Sequence, residues 1–143
     1  MTKYNITKKR ENVAKYSTLV SAQMMEQLRR QILEKIVIDQ KYKEKNYSAK
    51  QLATELETNT RYISAVISVK FHTNYTTFVN QLRINDAMSL LIDKRFADLT
   101  MEEIGDMVGF SNRQSFYASF YKITGKSPRA YRKEHEERLG NKK

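Results

Sequence analysis

The sequence predicts an all-α fold: two helix-turn-helix subdomains joined by a long linker helix and preceded by an extra N-terminal helix. Three observations carry that expectation. The 143 residues include one Pro and four Gly and hardly any alternating β-branched runs, so little interrupts helical periodicity. The stretch from Leu99 to Arg132 reads as helix, tight turn, helix. A diverged copy of that pattern lies upstream, a repeat of one supersecondary unit.

Residues 1–20 are polar and basic (Lys3, Lys8, Lys9, Arg10 and Lys15) and hold little to bury, so they read as a flexible arm or linker. Residues 21–46 read as a helix followed by a charged loop. Met24, Leu28, Ile32 and Ile36 step by four, with Met25 and Leu33 beside them, and the loop runs from Lys41 to Asn46. The first helix-turn-helix is placed at 48–75, within a domain spanning 47–133. Ser48 with Gln51 makes a capping box, Leu52, Ala53 and Leu56 line the first helix, and Asn59 caps the second.

A linker helix is expected over 76–93. Phe78, Val79, Leu82, Ala87, Leu90 and Leu91 recur at helical spacing with no Gly or Pro between them. The second helix-turn-helix is placed at 99–132. Thr100 and Glu103 form its capping box, and Ile104, Met107 and Val108 its apolar stripe. Gly109 ends the helix where positive φ is needed, Phe110 plugs the turn, and Ser111 is expected to cap the next helix. Phe116 and Phe120, four apart, face the core, and Gly105 allows the two helices to cross closely. Residues 134–143 read as a charged tail.

The two copies align at an offset of fifty-two before the turn and fifty-three after it. Leu52-Ala53 matches Ile104-Gly105, Ile63 matches Phe116, Ile67 matches Phe120, and Phe78 matches Tyr131. Both second helices open with exposed-looking polar residues, a pattern suited to reading base edges in a major groove.

The residues Ile104-Gly105, Gly109-Phe110-Ser111, Ser115-Phe116, Phe120, Gly125, Ser127-Pro128 and Tyr131-Arg132 resemble the signature of the AraC/XylS family of bacterial transcription regulators. Arg83-Ile84 followed by Ala87 is similar to that family's linker helix. The resemblance implies a DNA-binding domain with two helix-turn-helix units joined by a long helix, an activator role and a contact with RNA polymerase. It leaves two readings of the chain: a stand-alone regulator without a sensor, or the C-terminal part of a longer regulator with a sensor domain N-terminal to it. The second, the arrangement of large Bacteroidetes regulators, is preferred. At Gly125 the upstream copy carries His72, a residue less tolerant of left-handed backbone.

The base-reading candidates are Thr60, Arg61 and Ser64 upstream and Asn112, Arg113, Gln114 and Ser115 downstream. Asn and Gln pair with adenine, Arg with guanine, and Ser with either partner type. Ala118 stands where relatives of the family often carry a long polar side chain. Phosphate candidates are Tyr62, Lys70, Lys122, Lys126, Arg129 and Arg132; such contacts set affinity and register. For each cation a solvated face is the competing reading, and Arg132 has the further option of a structural ion pair.

The formal charge of +10 and pI of about 9.7 point to an anionic partner. Residues 1–47 carry eleven Lys/Arg against five Asp/Glu, and 48–133 carry twelve against eight. Cysteine is absent, which excludes disulfides, thiolate metal sites and Cys-based catalysis. The two His residues have no carboxylate cluster beside them, and no nucleophile elbow occurs, so no catalytic residue, metal or cofactor is expected. With no signal peptide or membrane span visible, a cytoplasmic setting follows. The preferred function is sequence-specific regulation through double-stranded DNA; the alternative is a protein-interaction module that has lost specific DNA binding.

Overall fold

The computed structural model describes residues 21–141, with side chains to residue 136, so the expected basic arm of residues 1–20 lies outside the described residues. Seven α-helices and no strand occur among the described residues: α1 Ala22–Leu33, α2 Ala49–Glu55, α3 Thr60–Phe71, α4 Tyr75–Ile92, α5 Met101–Val108, α6 Arg113–Thr124 and α7 Pro128–Asn141. The chain divides into two compact units, one of residues 21–41 and 47–79, the other of 42–46 and 80–141.

In the first unit, Ser21 accepts a hydrogen bond from the Met24 N–H and starts α1, whose last turn widens into a π-helical turn over Glu34–Ile38. Its buried residues are Met25, Leu28, Ile32 and Ile36, while Met24 is exposed. The strict four-residue series beginning at Met24 therefore shifts by one position. Four residues overshoot a 3.6-residue turn, so a pure i+4 series rotates off the core, and one three-residue step restores the line. Ser48 accepts from the Gln51 N–H, the Ser48 half of the expected capping box, and Asn59 Oδ1 accepts from the Tyr62 N–H, the cap expected of α3. α3 packs against both α1 and α2, burying Ile63, Ala65, Val66 and Ile67 against Leu52 and Ala53. Phe71 stacks on Phe78 with ring centroids 4.8 Å apart.

In the second unit, Ile84, Ala87 and Leu91 of α4 close a core with Met101, Ile104, Val108, Phe110, Phe116 and Phe120. Thr100 and Glu103 form both bonds of the capping box. Met107, expected on the apolar stripe of α5, is instead exposed, because Met101, Ile104, Gly105 and Val108 already fill the inward face. Phe110 N–H reaches back to the Gly105 carbonyl at 3.0 Å, closing the end of α5. Arg132 donates to the carbonyls of Leu91, Leu99 and Phe96 at 3.1, 3.0 and 3.4 Å. This places it in a structural role, joining α7 to the turn between α4 and α5. α7 itself continues to Asn141, through residues read from sequence as a charged tail; Glu, Arg and Leu there are good helix formers.

Residues 42–46, read from sequence as part of a charged loop, belong to the second unit. Tyr42 is buried and donates its hydroxyl to Asp86 at 3.1 Å, and Arg83 donates to the Tyr42 and Glu44 carbonyls at 2.6 and 3.2 Å. Lys43 and Lys45 pair with Asp86 and Asp106, and Ser111 donates to Asn46 at 2.8 Å. The Arg83 guanidinium also lies over the Phe110 ring, 5.6 Å from its centroid.

Two tests follow from this packing. Gly109 has φ of 111°, and a Cβ there would come within 2.4 Å of the Tyr42 carbonyl oxygen and 2.9 Å of Arg83 Nε. Gly125 has φ of 79° but open space around its missing Cβ. Gly125→Ala should cost about 1 to 2 kcal/mol of backbone strain, and Gly109→Ala about 3 kcal/mol or more once overpacking is added; urea unfolding of both variants compares them. The second test concerns Tyr42, whose phenol is pushed up from 10.0 to about 12 by burial and then by the Asp86 charge. The folded state thus holds this proton more tightly than the unfolded chain. Its contribution, on the order of 2 kcal/mol, is complete below pH 10 and is lost as pH rises toward 12. Stability measured across that range should fall less steeply for Tyr42→Phe than for the parent.

Candidate nucleic-acid interface

Each unit builds the same local device from a short helix, a closed turn and a longer second helix. Upstream, the Thr58 N–H bonds the Ala53 carbonyl at 2.8 Å, with Glu57 at φ of 57°. Downstream, Phe110 bonds Gly105 and Gly109 takes the left-handed position. Ala53, Glu57 and Thr58 are thus the structural counterparts of Gly105, Gly109 and Phe110. Asn112, with Oδ1 accepting from the Ser115 N–H at 2.8 Å, is the counterpart of Asn59. The expectation that Ser111 caps α6 is corrected: Asn112 does so, and Ser111 is the extra turn residue that changes the offset between copies. His72 ends α3 at φ of 57° as Gly125 ends α6, so both second helices leave through left-handed backbone.

The residues left at the start of each second helix are exposed. Thr60, Arg61 and Ser64 lie on the outer surface of α3, while Tyr62 is half-buried and Ala65 is fully buried. Lys70, near the other end of α3, lies 3.9 Å from Glu26. The Glu26 carboxyl is held below its usual range by a hydrogen bond from Arg29, and by the charges of Arg29, Lys70 and Arg30.

Downstream, Arg113, Gln114 and Ser115 are exposed in the first turn of α6. Arg113 lies over the Tyr117 ring at 4.9 Å and 3.9 Å from Glu102. Both contacts are at the surface and are worth under about 1 kcal/mol each, less than the 1–3 kcal/mol of a bidentate guanine contact, so they park the side chain without locking it. Lys122 and Arg129 are exposed, whereas Lys126 is paired with Glu134. The N–H of Ala130 bonds Ser127 Oγ at 3.1 Å, starting α7.

Arg113, Gln114, Tyr117, Ala118, Tyr121 and Ser127 line one open depression along α6. The sequence reading did not single out Tyr117 and Tyr121. Their signal was present as the i, i+4, i+8 series from Arg113, parallel to the core series of Phe116 and Phe120 and one residue displaced from it. Among the described residues no group of three His, Asp or Glu is placed to hold a metal ion, and no helix is long and apolar enough to cross a membrane.

A short helix closed against a second helix, with polar side chains presented at the second helix's start, defines the class as a helix-turn-helix of the DNA-binding kind. A family model described as a helix-turn-helix domain matches residues 52–134. The chain belongs to that family, the AraC-type helix-turn-helix domains, which are found in DNA-binding transcription regulators. The chain is similar to the uncharacterized HTH-type transcriptional regulator YtdP of Bacillus subtilis, at 26% identity over 84 residues. That match takes in 59% of this chain and 10% of the relative, so the chain spans about a tenth of that protein's length. A Listeria innocua protein of unknown function superposes with a TM-score of 0.66 at 25% identity, over 74% of this chain and 95% of the other. The C-terminal domain of the two-component response regulator yesN from Fusobacterium nucleatum gives a TM-score of 0.62 at 25% identity, over 70% and 94%.

The double use of Asn112, as helix cap and as candidate base contact, can be separated. Asn112→Ala should cost about 1 kcal/mol of stability, whereas Asn112→Asp keeps an acceptor for the Ser115 N–H and should hold the melting temperature near that of the parent. Thermal unfolding of the two variants measures the difference.

Proposed function

We propose that this chain is a sequence-specific regulator of transcription that binds double-stranded DNA, with each helix-turn-helix unit placing its second helix in a major-groove segment. The observation that carries this reading is the repeated exposure of a polar helix start over a closed apolar core. In both units a closed apolar core lies behind the second helix, and the side chains left at the start of α3 and α6 are those whose donors and acceptors match base edges. Arg61 upstream and Arg113 downstream are the guanine-reading candidates, with Asn112 and Gln114 suited to adenine and Thr60, Ser64 and Ser115 to either donor or acceptor edges. Lys122 and Arg129, exposed on α6 and α7, are the phosphate contacts that the arrangement supports best. Lys70, Lys126 and Tyr62 join them only by giving up Glu26, Glu134 and part of their packing, respectively.

The same type of domain forms the C-terminal part of the Fusobacterium response regulator. That supports a role as the DNA-binding end of a longer regulator whose sensing part lies N-terminal to it. Activation through contact with RNA polymerase is the accompanying mode we propose from the family resemblance, acting in the cytoplasm where the chromosome lies.

Mobility shifts of genomic fragments at several salt concentrations test the proposal. Tight binding to particular fragments, weakening steeply with salt, is expected; absence of binding to every fragment overturns it in favour of an interaction module. On the preferred fragment, Arg113→Ala should lose about 1–3 kcal/mol and relax preference at one base pair. Lys122→Ala should weaken all duplexes evenly and reduce the salt slope by about 1.

A further inference from the structure

We propose that the second helix-turn-helix unit recognises thymine methyl groups, through an apolar strip that Ala118 and Tyr121 form on α6 beyond Arg113 and Gln114. The proposal rests on the DNA-binding reading above and names the chemistry that one of the two heads selects.

The side chains at 113, 117 and 121 and at 114 and 118 fall on one face of α6, because residues four apart on a helix lie above one another. With Ser127 they line the open depression. Tyr117 is half-buried against the core, with its ring edge-on to Phe116. Ala118 and Tyr121 take no part in that core, which Phe116 and Phe120 fill from a neighbouring face of the helix. Tyr121 nevertheless keeps 64% of its surface exposed, although a ring of that size is ordinarily covered. Tyr117 already has an occupant, the Arg113 guanidinium 4.9 Å from its ring centroid. Ala118 and Tyr121 are therefore the apolar surface that the head presents to a ligand.

In the major groove, thymine alone among the bases offers a methyl group, and alanine and aromatic side chains are the partners that suit it. The distances agree with one continuous contact. The eight steps from Arg113 to Tyr121 rise about 12 Å along the helix, the length of about three to four base-pair steps of about 3.4 Å. With α6 lying along the groove, the hydrogen-bonding residues at its start and Tyr121 two turns later would meet base pairs about three steps apart.

The first unit lacks this strip. At the positions matching Tyr117, Ala118 and Tyr121 it has Ser64, Ala65 and Ser68, and its alanine is buried in the core. Its second helix offers hydroxyl groups where the second unit offers rings and a methyl. The two heads therefore select by different chemistry, hydrogen bonding upstream and apolar contact combined with hydrogen bonding downstream.

The test begins with a duplex selected by the whole chain from a random-sequence pool. Because the chain has no cysteine, an iron chelate attached at Ala130→Cys cuts the DNA beside the second unit and maps its half-site. Thymine is expected in that half-site, and replacing it by deoxyuridine, which removes only the methyl, should weaken binding about fourfold per methyl. Tyr121→Ala should abolish the difference between thymine and uracil, while Tyr121→Phe should preserve it. A half-site without thymine, equal binding of thymine and uracil by the parent chain, or Tyr121→Phe behaving as Tyr121→Ala overturns the proposal while leaving the DNA-binding reading intact. Failure to bind any duplex overturns both.

Discussion

Both units depend on how the chain turns from the first helix of each pair into the second. The turn must end a helix, satisfy its last carbonyls and bring the next helix within side-chain contact, all in a few residues. It does so by a left-handed residue and a bond from an N–H to a carbonyl five residues back. The downstream copy makes this turn with glycine; Gly109 meets the backbone of Tyr42 and Lys43 so closely that no Cβ fits. The upstream copy makes it with Glu57, whose side chain is exposed. The same conformation is thus required in both units, but only one of them also requires the space.

Helix crossing shows a matching compensation in volume. A Cβ at Gly105 would lie 2.8 Å from a ring carbon of Phe116, so the large ring is accommodated by deleting the facing side chain. The upstream pair is Ala53 and Ile63, both buried. There the smaller aliphatic side chain leaves room for a methyl on the other helix. Close packing tolerates either solution, provided the summed volume across the contact is kept. This is how the two copies differ in identity and agree in form.

The segment 42–46 shows how polar groups specify a packing that hydrophobicity leaves open. Its one buried ring, Tyr42, could settle against many apolar surfaces. Arg83 narrows the choice by donating to the carbonyls of Tyr42 and Glu44, two residues apart in the segment, while lying against Phe110. The Tyr42 hydroxyl and Lys43 then converge on Asp86. Each bond is modest in water, but together they place the backbone against Gly109, where an apolar contact alone would permit sliding.

Helices, caps and most of the core were legible in the sequence because they rest on local rules. Thr100 with Glu103, Asn59, Ile63, Ile67, Phe116 and Phe120 carry their meaning in spacing and side-chain type. The polar start of each second helix was legible for the same reason. Other assignments depended on which face the remaining helices leave free. Met107 and Met24 fit an apolar series, yet the inward face was already filled. Ser111 and Asn112 are both good caps by type, and the length of the turn decided between them. The sequence by itself determined an all-helical chain carrying two copies of one turn and a polar edge on each. Only the tertiary structure decided that Arg132 is bound to backbone carbonyls, that residues 42–46 belong with the second unit, and that Tyr121 stands outside the core. These are contacts between residues far apart in the chain, and no local spacing encodes which of several chemically suitable partners will be within reach.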